Sequence, residues 1–219
     1  MARAAGLFPV SAIEIQPGAR HIPGYLSEAE QDALLAELRA VVRKAPFFQP
    51  VMPRTGKPFS VRMTNCGVLG WVSDRAGYRY QETHPVSGSP WPPLPERLLT
   101  IWSDLAPGAP APEAALINHY RSGARMGLHR DEDEQDSTVP VVSLSIGDAA
   151  RFRVGGTDRR DATRSVRLES GDAFVLAGPS RLAYHGIDRI YDGTSDRLAG
   201  GGRLNITLRR VTSPEGLAE

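Results

Sequence analysis

A single cysteine, Cys66, stands in 219 residues, so an intrachain disulfide is excluded and a reducing compartment fits. Long apolar runs are missing as well: no stretch approaches the roughly 20 residues that span a bilayer. Met1 to Val10 carries one arginine and a short apolar patch broken by Pro9, which is not the pattern of a secretory signal. The expectation is a cytoplasmic protein with no membrane association. An excess of one charge is also lacking. Lys and Arg number 26 against 25 Asp and Glu, a net charge of +1, which argues against nucleic acid binding over the whole surface. No internal repeat is visible, which excludes solenoid and propeller architectures.

What is present is an ordinary soluble composition, 41% hydrophobic and 23% charged, with length enough to bury a real core. Charge is unevenly distributed. From Arg39 to Arg79 eight basic residues (Arg39, Arg43, Lys44, Arg54, Lys57, Arg62, Arg75, Arg79) face one acid, Asp74, and Phe47, Phe48, Phe59, Trp71 and Tyr78 are interleaved with them. Cations that neutralise phosphates, mixed with rings that stack on bases, suit a nucleic-acid surface. A solvated basic face over core aromatics reads equally well from composition alone.

Ser27-Glu28-Ala29-Glu30 is a capping box that opens a helix, and Leu34, Leu35, Leu38, Val41 and Val42 form its apolar face up to Pro46. A second helix is predicted over 96–105, followed by the Pro/Ala/Gly stretch 107–112. Beyond it the pattern changes to short strands at 114–120, 139–146, 150–154, 165–169, 173–176, 181–185 and 203–210, separated by glycine-containing turns. Many short strands in one unit predict a sandwich or jelly roll. Ser213 to Glu219 reads as a frayed tail.

The chemistry-bearing residues begin with His129-Arg130-Asp131. Side chains at i and i+2 on extended backbone point the same way, so an imidazole and a carboxylate can share a metal. His185, after the strand-like 181–185 stretch, is the candidate third ligand at a strand end. Two His and one carboxylate suit iron(II) with three coordination positions left open, and zinc accepts the same donors. His21 and His84, in proline-containing loops, and His119, facing away from Asn118 and Tyr120, read as surface or structural. In Arg203-Leu-Asn205-Ile-Thr207-Leu-Arg209 the odd positions are polar and the even ones apolar. Two arginines aimed into a barrel call for an anion, for which a dicarboxylate is a natural partner. An exposed edge strand, or internal pairing with Asp131 or Asp172, is the alternative. Asn118 and Tyr120 offer a second polar pair on one face, although Tyr120 also reads as a core ring.

Taken in order, the segment Asn118 to Glu134, Pro140 to Gly147, Gly171-Asp172, Ser180-Arg181, His185-Gly186-Ile187 and Arg203 to Arg209 resembles the AlkB family of Fe(II)/2-oxoglutarate-dependent dioxygenases. Met63 to Gly67 with Trp71 extends the likeness upstream, over roughly residues 50 to 210. The resemblance implies an α+β, mainly β fold: a double-stranded β-helix (jelly roll) with N-terminal helices and a nucleotide-recognition lid. Residues 1–112 would supply the helices and lid, 113–212 the dioxygenase core and 213–219 the tail, in one integrated domain. It implies iron on His129, Asp131 and His185, and 2-oxoglutarate on Asn118, Tyr120, Arg203, Asn205 and Arg209, with O₂ as the oxidant. Substrate contacts carry over to Met63, Trp71, Tyr78, Arg79, Tyr80, Asp133 and Arg159. The implied activity is oxidative demethylation of bases of the 1-methyladenine and 3-methylcytosine type. The partner would be alkylated DNA, single-stranded or with the base flipped out, or RNA, acted on by a monomer. Other readings are the same chemistry on RNA, tRNA or protein, and a metal-binding jelly roll without catalysis.

Overall fold

The computed structural model describes residues 11–213. The expectations for Met1 to Val10 and for a frayed tail beyond Ser213 lie outside the described residues. In chain order, the elements are β1 (Ile13–Gln16), β2 (Ala19–Ile22), α1 (Glu28–Lys44), β3 (Arg62–Gly67), β4 (Gly70–Asp74), β5 (Gly77–Gln81) and α2 (Glu96–Leu105). They are followed by β6 (Ala114–Tyr120), β7 (Met126–His129), β8 (Val141–Gly147), β9 (Ala149–Val154), β10 (Arg164–Leu168), β11 (Ala173–Leu176), β12 (His185–Tyr191) and β13 (Arg203–Arg209). No described helix is long and apolar enough to cross a membrane.

The predicted capping box forms. The Ser27 hydroxyl accepts from the Glu30 N–H, and the Glu30 carboxylate accepts from the Ser27 N–H at 2.8 Å. Leu34, Leu35, Leu38 and Val41 are buried, and α1 ends one residue before Ala45-Pro46. Helix α2 has the predicted bounds and buries Leu98, Ile101, Trp102 and Leu105.

Seven strands form the larger sheet in the order β1-β2-β11-β8-β13-β6-β3, four form the smaller in the order β10-β9-β12-β7, and β4-β5 is a separate hairpin. Strand alternation divides the larger sheet into two faces. Ala115, Ile117, Val142, Leu144, Ile146, Leu204, Ile206 and Leu208 join the core cluster that holds both helices. Leu116, Val141, Phe174 and Leu176 face the smaller sheet, where they meet Ala150, Phe152, Val154 and Ile187. Two facing sheets with helices on the outside of one make the jelly roll that the resemblance implies.

Strands β1, β2 and β3 belong to the larger sheet, so segments on both sides of residue 112 build one sheet. His21 lies on β2 rather than in a loop, buried, with Nε2 2.8 Å from Asp172 Oδ2. No strand covers 181–184. A short 3₁₀ helix, Gly178–Ser180, runs into a hydrogen-bonded turn, and His185 begins β12 instead of ending a strand. Cys66 is fully buried, and burial pushes its thiol up to about 12, so it packs rather than reacts.

Asp172 ties this scaffold together: its carboxylate takes His21 Nε2 and accepts from the backbone N–H groups of Gly24 and Glu169, each at 2.8 Å. Asp172→Ala strands buried donors on two segments and is expected to cost about 3 kcal/mol in urea unfolding. A loss below about 1 kcal/mol would show that these donors find other partners.

Candidate active site

Antiparallel pairing of β7 with β12 sets His129 directly opposite His185, with ring centroids 4.5 Å apart. Asp131 follows two residues later, and one donor atom from each of the three lies within 4.8 Å of the others. The tautomers are dictated by second partners. His129 Nδ1 donates to the Gly127 carbonyl and His185 Nδ1 to the Ala183 carbonyl, both at 2.9 Å, because a carbonyl can only accept. Both Nε2 lone pairs are therefore free, 4.0 and 3.9 Å from the Asp131 oxygens. Burial, reinforced by His129, pushes His185 down to about 4, so it is neutral near pH 7. Burial pushes the Asp131 carboxyl up, but Arg209 and then the two histidines outweigh it and hold the group well below the usual carboxylate range. Two imidazoles with their Nε2 atoms turned inward and an ionised carboxylate converging on one point are a fitting donor set for a divalent metal.

A cavity of about 160 Å³ extends from this triad between the sheets. Register builds its polar wall: Asn205 stands opposite Asn118 and Ser145, and Arg203 opposite Tyr120. Arg203 is 0% exposed. Its Nη2 donates to Ser145 Oγ at 2.6 Å and Nη1 to the Asp148 carbonyl at 3.4 Å, but Nε has no partner. No ion pair forms to it among the described residues, and burial pulls its guanidinium down to about 10. Of the three buried side-chain polar atoms without a hydrogen bond among the described residues, two are Arg203 Nε and Asn118 Oδ1 in this wall. A buried cation with an unmet donor is what a carboxylate would complete. Burial also pushes the Tyr120 phenol up to about 12, which keeps it a hydrogen-bond donor.

Arg209 differs. Its guanidinium grips Asp131 through Nη2 at 2.8 Å and Nε at 3.1 Å, and reaches Glu134 at 3.3 Å. The internal pairing that the sequence leaves open is thus realised for Arg209 with Asp131. Arg203 makes no such pair with Asp172, whose oxygens serve His21 and two backbone donors.

In the same cavity, Trp71 of β4 and Tyr78 of β5 stack at 5.5 Å with planes 19° apart, and Phe59 meets Trp71 edge-on. The Trp71 indole N–H donates to Asp133 at 2.7 Å. Met63 lies in the wall below. Tyr80 donates to Glu134, and burial raises its phenol well above the ordinary value. The hairpin does not bring Arg79 to the cavity. Val72 pairs with Arg79, which puts both on the face opposite Trp71 and Tyr80, where Arg79 binds Asp74 at 2.8 Å. Arg159 does not line the cavity either; its guanidinium lies 5.7 Å over the ring of Tyr184, the neighbour of His185. Phe59, one of the interleaved rings of the basic segment, thus joins the cavity, whereas residue patterns assign no role to Ser143, Ser145 or Arg181. The serines alternate with Val142, Leu144 and Ile146, the same signal that marks β13. Arg181 is buried and clamps the Asp131 and Val139 carbonyls and Glu134, contacts too distant in sequence to read.

Comparison with known proteins agrees with this geometry. A family model described as the 2OG-Fe(II) oxygenase superfamily matches residues 18–209. The alpha-ketoglutarate-dependent dioxygenase AlkB homolog of Caulobacter vibrioides is 50% identical over 199 residues, covering 91% of this chain and 90% of its own. The alpha-ketoglutarate-dependent dioxygenase AlkB of Escherichia coli K12 is 40% identical over 191 residues, with 85% and 87% covered. The solved structure of OsALKBH1 superposes with a TM-score of 0.79 at 29% identity, spanning 91% of this chain and all of that one.

The two arginines of β13 predict opposite mutational signatures. Arg203→Met should leave the stability of the ligand-free protein within about 1 kcal/mol of wild type, because an unpaired buried cation is removed. It should abolish the thermal stabilisation that Mn(II) and 2-oxoglutarate (α-ketoglutarate) together confer. Arg209→Met strands Asp131 and should cost roughly 3 kcal/mol without any ligand. Equal destabilisation by both would refute the distinction.

Proposed function

We infer the activity of this chain from the premise that it belongs to the 2OG-Fe(II) oxygenase superfamily and, within it, to the AlkB dioxygenases. It is an Fe(II)- and 2-oxoglutarate-dependent dioxygenase that removes alkyl groups from nucleic-acid bases. The observation that carries this reading is the junction of three features in one cavity: the His129/Asp131/His185 triad, the counterion-free Arg203 and the Trp71–Tyr78 stack over Asp133.

In this proposal His129, Asp131 and His185 would hold Fe(II). Arg203, Asn118, Tyr120 and Asn205 would hold the cosubstrate, with Arg209 bridging it to the metal ligand Asp131. Bound iron, with O₂ and 2-oxoglutarate, supplies the oxidation that hydroxylates the alkyl carbon attached to a ring nitrogen. 2-Oxoglutarate leaves as succinate and CO₂, and the hydroxymethyl base breaks down to formaldehyde and the unmodified base.

The chain's own residues bind, orient and select. Trp71 and Tyr78 present flat faces to a base that has left its stack. 1-Methyladenine and 3-methylcytosine are cations near neutral pH, and stacking of a cation on such rings adds about 1–2 kcal/mol. Asp133, held by the Trp71 N–H, supplies the matching anion. Glu134 cannot share that task, since Tyr80, Arg181 and Arg209 occupy its oxygens. Charge selection therefore rests on Asp133. The finer reading is a cytoplasmic monomer acting on alkylated DNA, delivered single-stranded or as a flipped base.

The primary test is mass spectrometry of a single-stranded oligonucleotide carrying 1-methyladenine, incubated with the protein, iron(II), 2-oxoglutarate and ascorbate. Loss of one CH₂ unit, dependent on both iron and 2-oxoglutarate, is expected. Succinate formation without that loss would move the substrate to RNA or protein, and neither product would refute the dioxygenase reading. Asp133→Asn should lower kcat/KM on 1-methyladenine on the order of tenfold, about 1.4 kcal/mol, and spare a neutral etheno adduct. An equal fall on both substrates would remove Asp133 from charge selection.

A further inference from the structure

Far from the cavity, the outward face of the smaller sheet is basic in a way that strand pairing makes hard to avoid. Arg167 of β10 is the direct partner of Arg151 on β9, and Arg151 is the direct partner of Arg189 on β12. Three exposed guanidinium groups thus form a row across three adjacent strands, with Arg153 one step along β9. Like charges directly opposite each other in a sheet are destabilising. Local acids relieve only part of this: Asp188 contacts Arg151 at 2.7 Å and Arg153 at 3.9 Å, and Glu169 contacts Arg167 at 2.8 Å. Arg189 has no carboxylate partner among the described residues and lies over the Tyr191 ring at 5.1 Å, which Arg167 also covers at 4.7 Å.

A bulge in β12 creates this face. The register shifts between Ile187 and Arg189, so the alternation inverts at Asp188: Arg189, which strict alternation from Ile187 would turn inward, instead pairs with the outward-facing Arg151. Tyr184, next to the proposed ligand His185, is flanked in turn by Arg130 at 5.6 Å and Arg159 at 5.7 Å. Arginine-flanked tyrosines thus stand at both ends of β12, Tyr184 just before it beside the cavity-lining His185, and Tyr191 at its far end about 20 Å away, at roughly 3.3 Å per residue.

We propose that the Arg151–Arg167–Arg189 row is a second docking surface, for the phosphodiester backbone of the same DNA strand that delivers a base to the cavity. The occupant follows from charge complementarity and from continuity along β12, which begins at the cavity-lining His185 and carries Arg189. It rests on the nucleic-acid reading above. One strand of B-DNA advances about 3.4 Å per phosphate and a free single strand more, so a strand reaches the row within at most about six nucleotides of the base in the pocket.

The test compares 1-methyladenine in a 5-nucleotide and a 20-nucleotide single-stranded DNA, using binding by fluorescence anisotropy and turnover. In the combined variant Arg151→Gln, Arg167→Gln, Arg189→Gln, 20-nucleotide binding should weaken about tenfold at 0.1 M salt. The slope of log affinity against log salt should become shallower by about 2, at roughly 0.7 for each phosphate of a single strand that is no longer neutralised. Turnover of the 5-nucleotide substrate should stay at the wild-type value. Arg189→Gln alone, which disturbs no ion pair, should give a two- to threefold weakening and keeps the test open if the triple variant folds poorly. An unchanged affinity and salt slope overturns the proposal, as does an equal fall in turnover on both lengths. Disappearance of a self-association seen by sedimentation, with DNA binding intact, would assign the row to a second copy of the chain instead. Because affinity is read separately, a wild-type protein that binds the long strand without demethylating it counts against the proposed activity and not against this surface.

Discussion

Arg209 is the charge around which the interior is organised. It lies on β13, an interior strand of the larger sheet flanked by β8 and β6, and its guanidinium holds Asp131 and Glu134 of the loop that follows β7 of the smaller sheet. Arg181 takes the other side of Glu134 and two backbone carbonyls of the same loop. Charges this deeply buried are tolerable only when each has a partner and its remaining hydrogen-bonding capacity is met. Each contact in this cluster therefore also fixes the position of a segment. Asp131 cannot move away from Arg209 without abandoning a buried cation, so its carboxylate is aimed at the two imidazoles before any metal arrives. The short separation of both Nε2 atoms from Asp131 is a consequence of that pairing.

Arg203 shows the opposite arrangement on the same strand. It shares the inward face with Arg209, six residues away, yet it has no counterion and leaves Nε unsatisfied. A protein selected for stability alone would fill that position with an apolar residue. The cost is accepted where a ligand is to supply the missing anion, and the unmet polar atoms collect in the cavity wall as a result. One arginine is thus satisfied within the chain and orients Asp131, the proposed metal ligand, while the other keeps a donor for the proposed cosubstrate.

The legibility of these features follows from how local their causes are. Strand β13 is readable because its polar and apolar residues alternate without interruption over seven positions, and β6 is found with its true ends. The capping box at Ser27 and the apolar spacing of α2 are equally local. Strand β7 has four residues and no alternation, and β12 is broken by the bulge at Asp188, so neither has a period to detect. Strand β3 buries Thr64 and Asn65, whose side chains bind the Ala45 carbonyl and the Trp71 backbone, and buried polar residues defeat a hydrophobicity pattern. The side on which Arg79 falls depends on the β4–β5 register, which decides the face and is invisible until the strands pair. Trp71 and Tyr78 are named as substrate contacts by the family resemblance, and their stacking is a property of that hairpin alone.

The near-zero net charge conceals a division that suits the proposed chemistry. Acids concentrate in 131–136, beside the cavity, while cations line the segment before β5 and the outward face of the smaller sheet. A polyanion approaching such a molecule is attracted by the periphery and repelled by the centre, so the backbone settles outside and only a base can enter. At the cavity, the exposed Asp133 carboxylate, steadied by the Trp71 indole N–H, has no cation of its own among the described residues and favours a positively charged ring over a neutral one. The two signs thus act in sequence on one substrate: the outer field gathers phosphates regardless of sequence or damage, and the inner field admits the base that alkylation has made cationic. Neither would suffice alone. An all-basic protein would hold undamaged strands as tightly as damaged ones, and an all-acidic one would repel the strand before its bases could be sampled.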